Sequence, residues 1–198
     1  MIITVTAFKG GVGKTTSSIH LAAYLNNKAP TILIDGDLNR SALLWASHGK
    51  LDFPVVDERE GLKAARNYEH IVVDTPARPE IEEIRSLARG CDLMILPTSP
   101  DALSMGALQA NIQTFKQLNI PNFRILMTIV PPKPSTAGTE AKEYLQSLGL
   151  PVFKRMITRY AAFPKAALEG CVVRDVKGDR YAGAGWNDYK TVGNEIHG

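Results

Sequence analysis

Phe8-Lys9-Gly10-Gly11-Val12-Gly13-Lys14-Thr15-Thr16 is the stretch on which the fold turns. It follows a short β-branched run, Ile2–Ala7. It precedes a helical stretch from about Thr15 to Asn26, in which Ile19, Ala22 and Ala23 share one face. A Gly-rich loop between a strand and a helix is the context a phosphate-binding loop requires. Glycines let the backbone curl until successive N–H groups point inward at phosphate oxygens, and the helix adds its free N–H groups and positive end. Gly10, Gly11, Val12, Gly13, Lys14, Thr15 and Thr16 are therefore the expected cradle. Lys14 is expected to reach the β- and γ-phosphates, and the Thr15 hydroxyl to ligate Mg2+. From average composition, Gly-Gly-x-Gly-Lys-Thr arises by chance in a chain of this length only on the order of once in ten thousand.

Downstream of the loop, Thr31–Ile34 is an apolar run ended by Asp35-Gly36-Asp37. Ile71–Val73 is another, ended by Asp74-Thr75-Pro76. Phe53–Val56, Asp92–Leu96 and Arg124–Val130 read as further strands. Helices are expected over Ser41–Ser47, Glu80–Arg89, Thr139–Leu148 and about Trp186–Ile196. One more is expected to open at a Ser99 cap with Pro100 in its first position and run to about Leu118. The strands are continuous apolar runs alternating with helices. That pattern predicts an α/β fold, a P-loop type with a mostly parallel sheet and helices on both faces. With no repeat, low-complexity tract or long linker, residues 1–198 are expected to form one domain.

Composition narrows the class. The 198 residues are 44% hydrophobic and 22% charged, which is the balance of a globular chain. No apolar run approaches the ~18 residues of a membrane span, and the N-terminus does not read as a signal peptide. Cys91 and Cys171 form no C-x-x-C pair. The four histidines are scattered without metal-ligand spacing. The expected setting is the cytoplasm. Net charge is only +3, but residues 151–180 hold Lys154, Arg155, Arg159, Lys165, Arg174, Lys177 and Arg180 against Glu169, Asp175 and Asp179. Such a local excess points to a polyanion.

The common pattern G-x4-G-K-T would need Gly at position 8. This chain has Phe8 there, followed by a second lysine, Lys9. In this deviant form, K-G-G-V-G-K-T-T, the chain resembles the ParA/MinD family of partition and positioning ATPases. The resemblance extends to Ile32–Asp37, to Ile71–Pro76 and, more loosely, from Ile157 on. It implies that Lys9 crosses a dimer interface to the partner's nucleotide and that Asp37 orients the attacking water. It implies that Asp35 supports the loop and the Mg2+ shell and that Asp74 holds Mg2+. The family usually continues Pro-Gln after its second aspartate; Leu38-Asn39 here leaves the role of Asn39 open. The family frequently has Asn near the position of Thr128, against adenine, so Thr128 is the expected base contact, with Pro131 and Pro132 as an apolar wall.

The resemblance implies an ATP-bound homodimer, sequence-independent DNA binding, and a ParB-like adaptor that stimulates hydrolysis. It also implies nucleoid association and a cargo that is a plasmid, a chromosome region or a carboxysome-like organelle. Because the chain starts at its first strand, the helix-turn-helix extension of larger ParA repressors is not expected. Two other readings share the loop. One is a MinD-like membrane-positioning ATPase. Residues 186–196 are a poor membrane helix, with Lys190 against Asp188 and Glu195 and a glycine in the middle, so no membrane partner is expected. The other is a metabolic P-loop enzyme, which would need an acceptor-substrate motif. Nitrogenase reductase also shares the loop but needs bridging cysteines; Cys91 and Cys171 read better as small buried hydrophobes.

Overall fold

The computed structural model describes every residue except Leu118, Asn119, Pro121 and Gly198. In chain order the elements are β1 (Ile2–Ala7), α1 (Lys14–Asn26), β2 (Thr31–Asp35), α2 (Ser41–Ala46), β3 (Val55–Asp57), α3 (Glu58–Ala64), β4 (His70–Ala77), α4 (Ile81–Gly90), β5 (Leu93–Thr98), α5 (Ala102–Gln117), β6 (Phe123–Met127), α6 (Ala137–Ser147), α7 (Ala162–Glu169) and α8 (Ala182–His197). The strands lie in the order β3-β2-β4-β1-β5-β6, and every pairing is parallel. All six strands therefore end on one rim, which is where open α/β sheets place their ligands.

Side chains alternate between two cores, as the pleat requires. Ile3, Val5, Leu33, Val72, Ile95 and Leu126 enter one core, with residues of α1, α2, α7 and α8. Met94, Leu96, Ile125 and Met127 enter the other, with Ile84 of α4, Ile112 and Phe115 of α5 and Leu145 of α6. Helices thus cover both faces, which explains why the strands read as unbroken apolar runs. Among the described residues no helix is long and apolar enough to cross a membrane.

Several boundaries differ from the sequence reading, each for a local reason. α5 begins at Ala102, not after Ser99. Asp101 is its cap, accepting from the Ser104 N–H at 3.0 Å, while the Ser99 hydroxyl donates to the same carboxylate. Its expected end at Leu118 falls outside the described residues. β6 stops at Met127 because Ile129 takes a left-handed φ of 53° that turns the chain away. The periodicity did not announce α3, although Asp57 caps it by accepting from Arg59 N–H at 2.9 Å. α8 starts at Ala182, four residues earlier than expected, and runs through three glycines, Gly183, Gly185 and Gly193. Glycine lowers helix propensity, but a Cβ at Gly193 would lie 2.3 Å from the Tyr24 ring. The glycine that weakens the helix signal is what lets α8 lie against α1.

His20 joins these layers from the middle of α1. It is fully buried, stacked on Tyr189 and edge-on to Trp45 and Phe163. Its Nε2 accepts from the Val173 N–H at 3.0 Å, so Nδ1 carries the proton donated to Thr16 O at 2.6 Å. Burial, with a smaller repulsion from Arg174 partly opposed by the Thr16 bond, lowers its pKa to about 4. An unfolded histidine titrates near 6.5. Above that pH both states are neutral; below it the unfolded chain takes up a proton that the folded one refuses. Stability is therefore expected to fall as pH drops from about 6.5 to about 4, by about 3 kcal/mol in total from this residue. Denaturant titrations of wild type and His20→Gln across that window check it: the variant should lose about 3 kcal/mol less than wild type. Parallel pH profiles would contradict the assignment.

Candidate functional site

The loop between β1 and α1 curls over the rim at the centre of the sheet. Gly11 and Gly13 have φ of 78° and 81°, a left-handed geometry that glycine adopts without steric cost. β1 and β4 are neighbours, and their register shifts between Val5 and Ala7. That neighbourhood brings Asp74 of β4 beneath the loop. The Thr15 hydroxyl donates to Asp74 Oδ2 at 2.7 Å and the Ser18 hydroxyl to Oδ1 at 3.0 Å. Lys14 Nζ lies 3.2 Å from Asp74 Oδ1 and 3.1 Å from Asp37 Oδ2.

The two carboxylates are not equivalent. Asp74 is fully buried. Burial pushes its pKa above the usual carboxylate value, against the pull of Lys14, Thr15 and Ser18. Burial also pushes Asp37 upward, but hydrogen bonds from Asn39 and Lys14 outweigh it and bring the pKa below the usual value. The Asn39 backbone N–H and Nδ2 both donate to Asp37 Oδ1 at 3.0 Å. The role left open for Asn39 thus has a geometry: it grips Asp37 from one side while Lys14 holds the other.

Asp35 shows a different face. Its Oδ1 accepts from the Asp37 N–H at 3.1 Å and its Oδ2 from the Leu43 N–H at 3.0 Å. Both oxygens brace the turn that carries Asp37. Arg40, in a left-handed conformation, adds a bond from its guanidinium to the Asp35 carbonyl at 2.8 Å.

Lys9 stands at the outer edge of the loop, 3.1 Å from Asp101 Oδ1 and 3.0 Å from Ser104 Oγ. Asp101 is held well below the usual carboxylate range, first by the Ser99 hydroxyl, then by Ser104 and Lys9. This cluster at the start of α5 has no counterpart in the sequence reading. Its signal was the Ser99-x-Asp101-x-x-Ser104 spacing, whose Ser and Asp are cap-forming residue types.

Beside the loop opens a cavity of about 730 Å3. Lys9, Gly10, Gly11, Gly13, Lys14, Thr15, Thr16, Asp37 and Thr128 all line it; the Val12 side chain is buried instead. Its apolar end is walled by Leu44 and Trp45 of α2, by Ile157 and Tyr160, and by Phe163 and Pro164 of α7. None of these was singled out as a site residue. They come from α2, α7 and the segment before α7, and only the packing of α7 against α2 brings them to the loop. Pro131 and Pro132, the expected wall, are not part of that lining. Thr128 reaches the cavity, but its hydroxyl is turned to backbone carbonyls, Val12 O at 2.7 Å and Thr98 O at 3.1 Å.

The donor set suits Mg2+. A buried carboxylate and a hydroxyl are hard oxygen ligands, and Mg2+ is commonly bound by one or two carboxylates together with substrate phosphates and water. Among the described residues no cluster of three His, Cys, Asp or Glu side chains forms a cage of its own. A metal here would depend on the phosphates it accompanies.

The basic segment is partly spent on internal pairs. Arg155 pairs with the buried Asp188, Lys165 with Asp179, and Arg174 with Asp52 and Asp175. Arg174 also stacks on Trp186. Of the cations in residues 151–180, Arg155, Lys165 and Arg174 are therefore committed elsewhere. Arg159, Lys177 and Arg180 form no ion pair among the described residues.

A phosphate loop with two lysines, a buried carboxylate beneath it and a parallel sheet around it define a class of nucleotide-binding domain. The pattern of the CobQ/CobB/MinD/ParA nucleotide binding domain matches residues 3–173, and the chain belongs to that family. Its relatives include the maintenance of carboxysome distribution protein A of Gloeobacter kilaueensis, 33% identical over 98% of this chain and 93% of that protein. In fold it is similar to MinD of Aquifex aeolicus, with a TM-score of 0.75 at 17% identity over 99% of this chain and 96% of that one. It is also similar to a McdA–ATP complex from Cyanothece, with a TM-score of 0.73 at 12% identity over 99% of this chain and 96% of that one.

Proposed function

We propose that the chain, acting as one unit over residues 1–198, binds and hydrolyses ATP. In this reading it pairs with a second copy around the nucleotide, binds DNA irrespective of sequence and distributes a cargo over the nucleoid with a partner adaptor. The observation that carries this reading is the convergence of Lys14, Asp37 and Asp74 under a loop whose outer edge presents Lys9. Lys14 grips the β- and γ-phosphates. Thr15 and Asp74 hold Mg2+, which when bound neutralises phosphate charge; Asp35 contributes by bracing the turn. Asp37 orients the attacking water. Lys9, at the rim, leaves Asp101 and Ser104 to reach the nucleotide of a facing copy. The names of the curated relatives favour a carboxysome as cargo.

A DNA shift assay with ATP, ADP and no nucleotide tests the reading. ATP should switch binding on, because a dimer carries twice the basic groups on one body. The surface is expected to include Lys177 and Arg180. Reversing both to Glu should weaken binding on all sequences alike. It should also flatten the salt slope by about 0.9 for each phosphate that is no longer neutralised. DNA-independent hydrolysis should persist. Affinity that is indifferent to ATP would remove the nucleoid role; affinity indifferent to the reversals would move the surface elsewhere.

A further inference from the structure

Thr128 connects the phosphate loop to the end of β6. It is buried, one residue past the strand, with its hydroxyl 2.7 Å from the Val12 carbonyl and 3.1 Å from that of Thr98. The Thr98 carbonyl already accepts the Thr128 N–H at 2.8 Å. A hydroxyl has one proton to give, and the shorter contact assigns it to Val12. Among the described residues no other donor reaches the Val12 carbonyl. The Thr128 side chain also backs the loop directly, 3.7 Å from where a Cβ on Gly13 would stand.

The peptide between Val12 and Gly13 is trans, and a planar trans peptide points its C=O and N–H in opposite directions. The Val12 carbonyl is drawn toward β6. The Gly13 N–H is thereby turned the other way, and Gly13 itself lines the cavity. Gly13 is held at a φ of 81°, where this one peptide decides whether a phosphate meets a donor or a carbonyl.

We infer that Thr128 is a positioning residue for phosphate binding: its hydroxyl clasps Val12 and so presets the Gly13 N–H toward the phosphates, rather than reading the base. This rests on the nucleotide reading above and deepens it. The same clasp should matter for any ligand with the same phosphates, with or without adenine.

The test compares wild type, Thr128→Val and Thr128→Ser by titration and competition with Mg-ATP, Mg-ADP, Mg-GTP and inorganic triphosphate. Valine keeps the volume and removes the hydroxyl, leaving a buried carbonyl unpaired. Affinity for ATP, ADP and triphosphate should fall by a common factor of roughly ten. The ATP-to-GTP ratio should stay at its wild-type value. Serine, which keeps the hydroxyl, should restore binding to within about twofold of wild type. Thr128→Ala removes the hydroxyl without placing a methyl against the loop and should reproduce the loss if valine impairs folding. Unchanged affinity in both hydroxyl-free variants would overturn the clasp. So would a loss confined to ATP and ADP with triphosphate unaffected, or a shifted ATP-to-GTP ratio, because either marks a base contact. Failure of the wild-type chain to bind Mg-ATP would instead overturn the nucleotide reading beneath it.

Discussion

Replacing Lys14 by Ala or Gln is expected to lower affinity for both ATP and ADP by at least ~100-fold, the loss of about 3 kcal/mol of charge-assisted bonding. Its ammonium group is nearly buried between Asp37 and Asp74, at 3.1 and 3.2 Å. Without it, two carboxylates beneath the loop would face the incoming phosphates with only neutral donors as counterweight, Thr15 and Ser18 on Asp74 and Asn39 on Asp37. The site would change from a cation flanked by anions to a concentration of negative charge. Gln keeps much of the length but none of the charge, so it should fare little better than Ala. Asp74, whose pKa burial already raises, should titrate still higher in both variants. Titration with a fluorescent ADP reads the affinity directly. An affinity within about threefold of wild type, under 1 kcal/mol, would remove Lys14 from phosphate binding.

Asp37→Ala is expected to cut turnover of bound ATP about 100-fold or more, the scale of a single group acting on a proton or a water. Affinity for ATP should be kept. The carboxylate accepts two bonds from Asn39 through one oxygen and one from Lys14 through the other. Those bonds lower its pKa despite the opposing effect of burial. Such a group is a weak base at neutral pH, so its contribution is to orient water and not to capture a proton. The pH profile of wild-type turnover should therefore carry no limb from this group between about pH 5 and 8. Removing the carboxylate also releases Lys14 from one of its two anions, which favours the phosphates. Single-turnover hydrolysis, together with equilibrium binding, separates the two effects. Normal turnover in the variant would assign the water to another residue.

How far these roles could be read in advance differs from residue to residue. The Gly10–Thr15 loop was legible because its chemistry is local. Left-handed glycines, a following helix and a lysine at its first turn are all specified within a few residues. Asp35 and Asp74 were legible as carboxylates at strand ends, since an apolar run that stops at an aspartate in a parallel sheet must stop at the rim. The sequence alone therefore determined the parallel α/β sheet, the phosphate loop and the acidic rim. Local pattern did not divide the labour among the carboxylates; only the family resemblance assigned it. Asp35 and Asp74 have the same local pattern, yet one accepts backbone amides and the other lies under Thr15 and Lys14, because the sheet order puts β4 and not β2 beside β1. The remaining assignments also join residues far apart in the chain. The Thr128 hydroxyl meets the Val12 carbonyl across 116 positions, and Arg155 was drawn out of the free basic set by Asp188. Trp45 and Phe163 became neighbours on one cavity wall, and α8 kept its helix through Gly193 because only a hydrogen fits beside Tyr24. Hydrogen-bond partners, ion pairs and close approaches between distant segments depend on three-dimensional packing, and only the tertiary structure decided them.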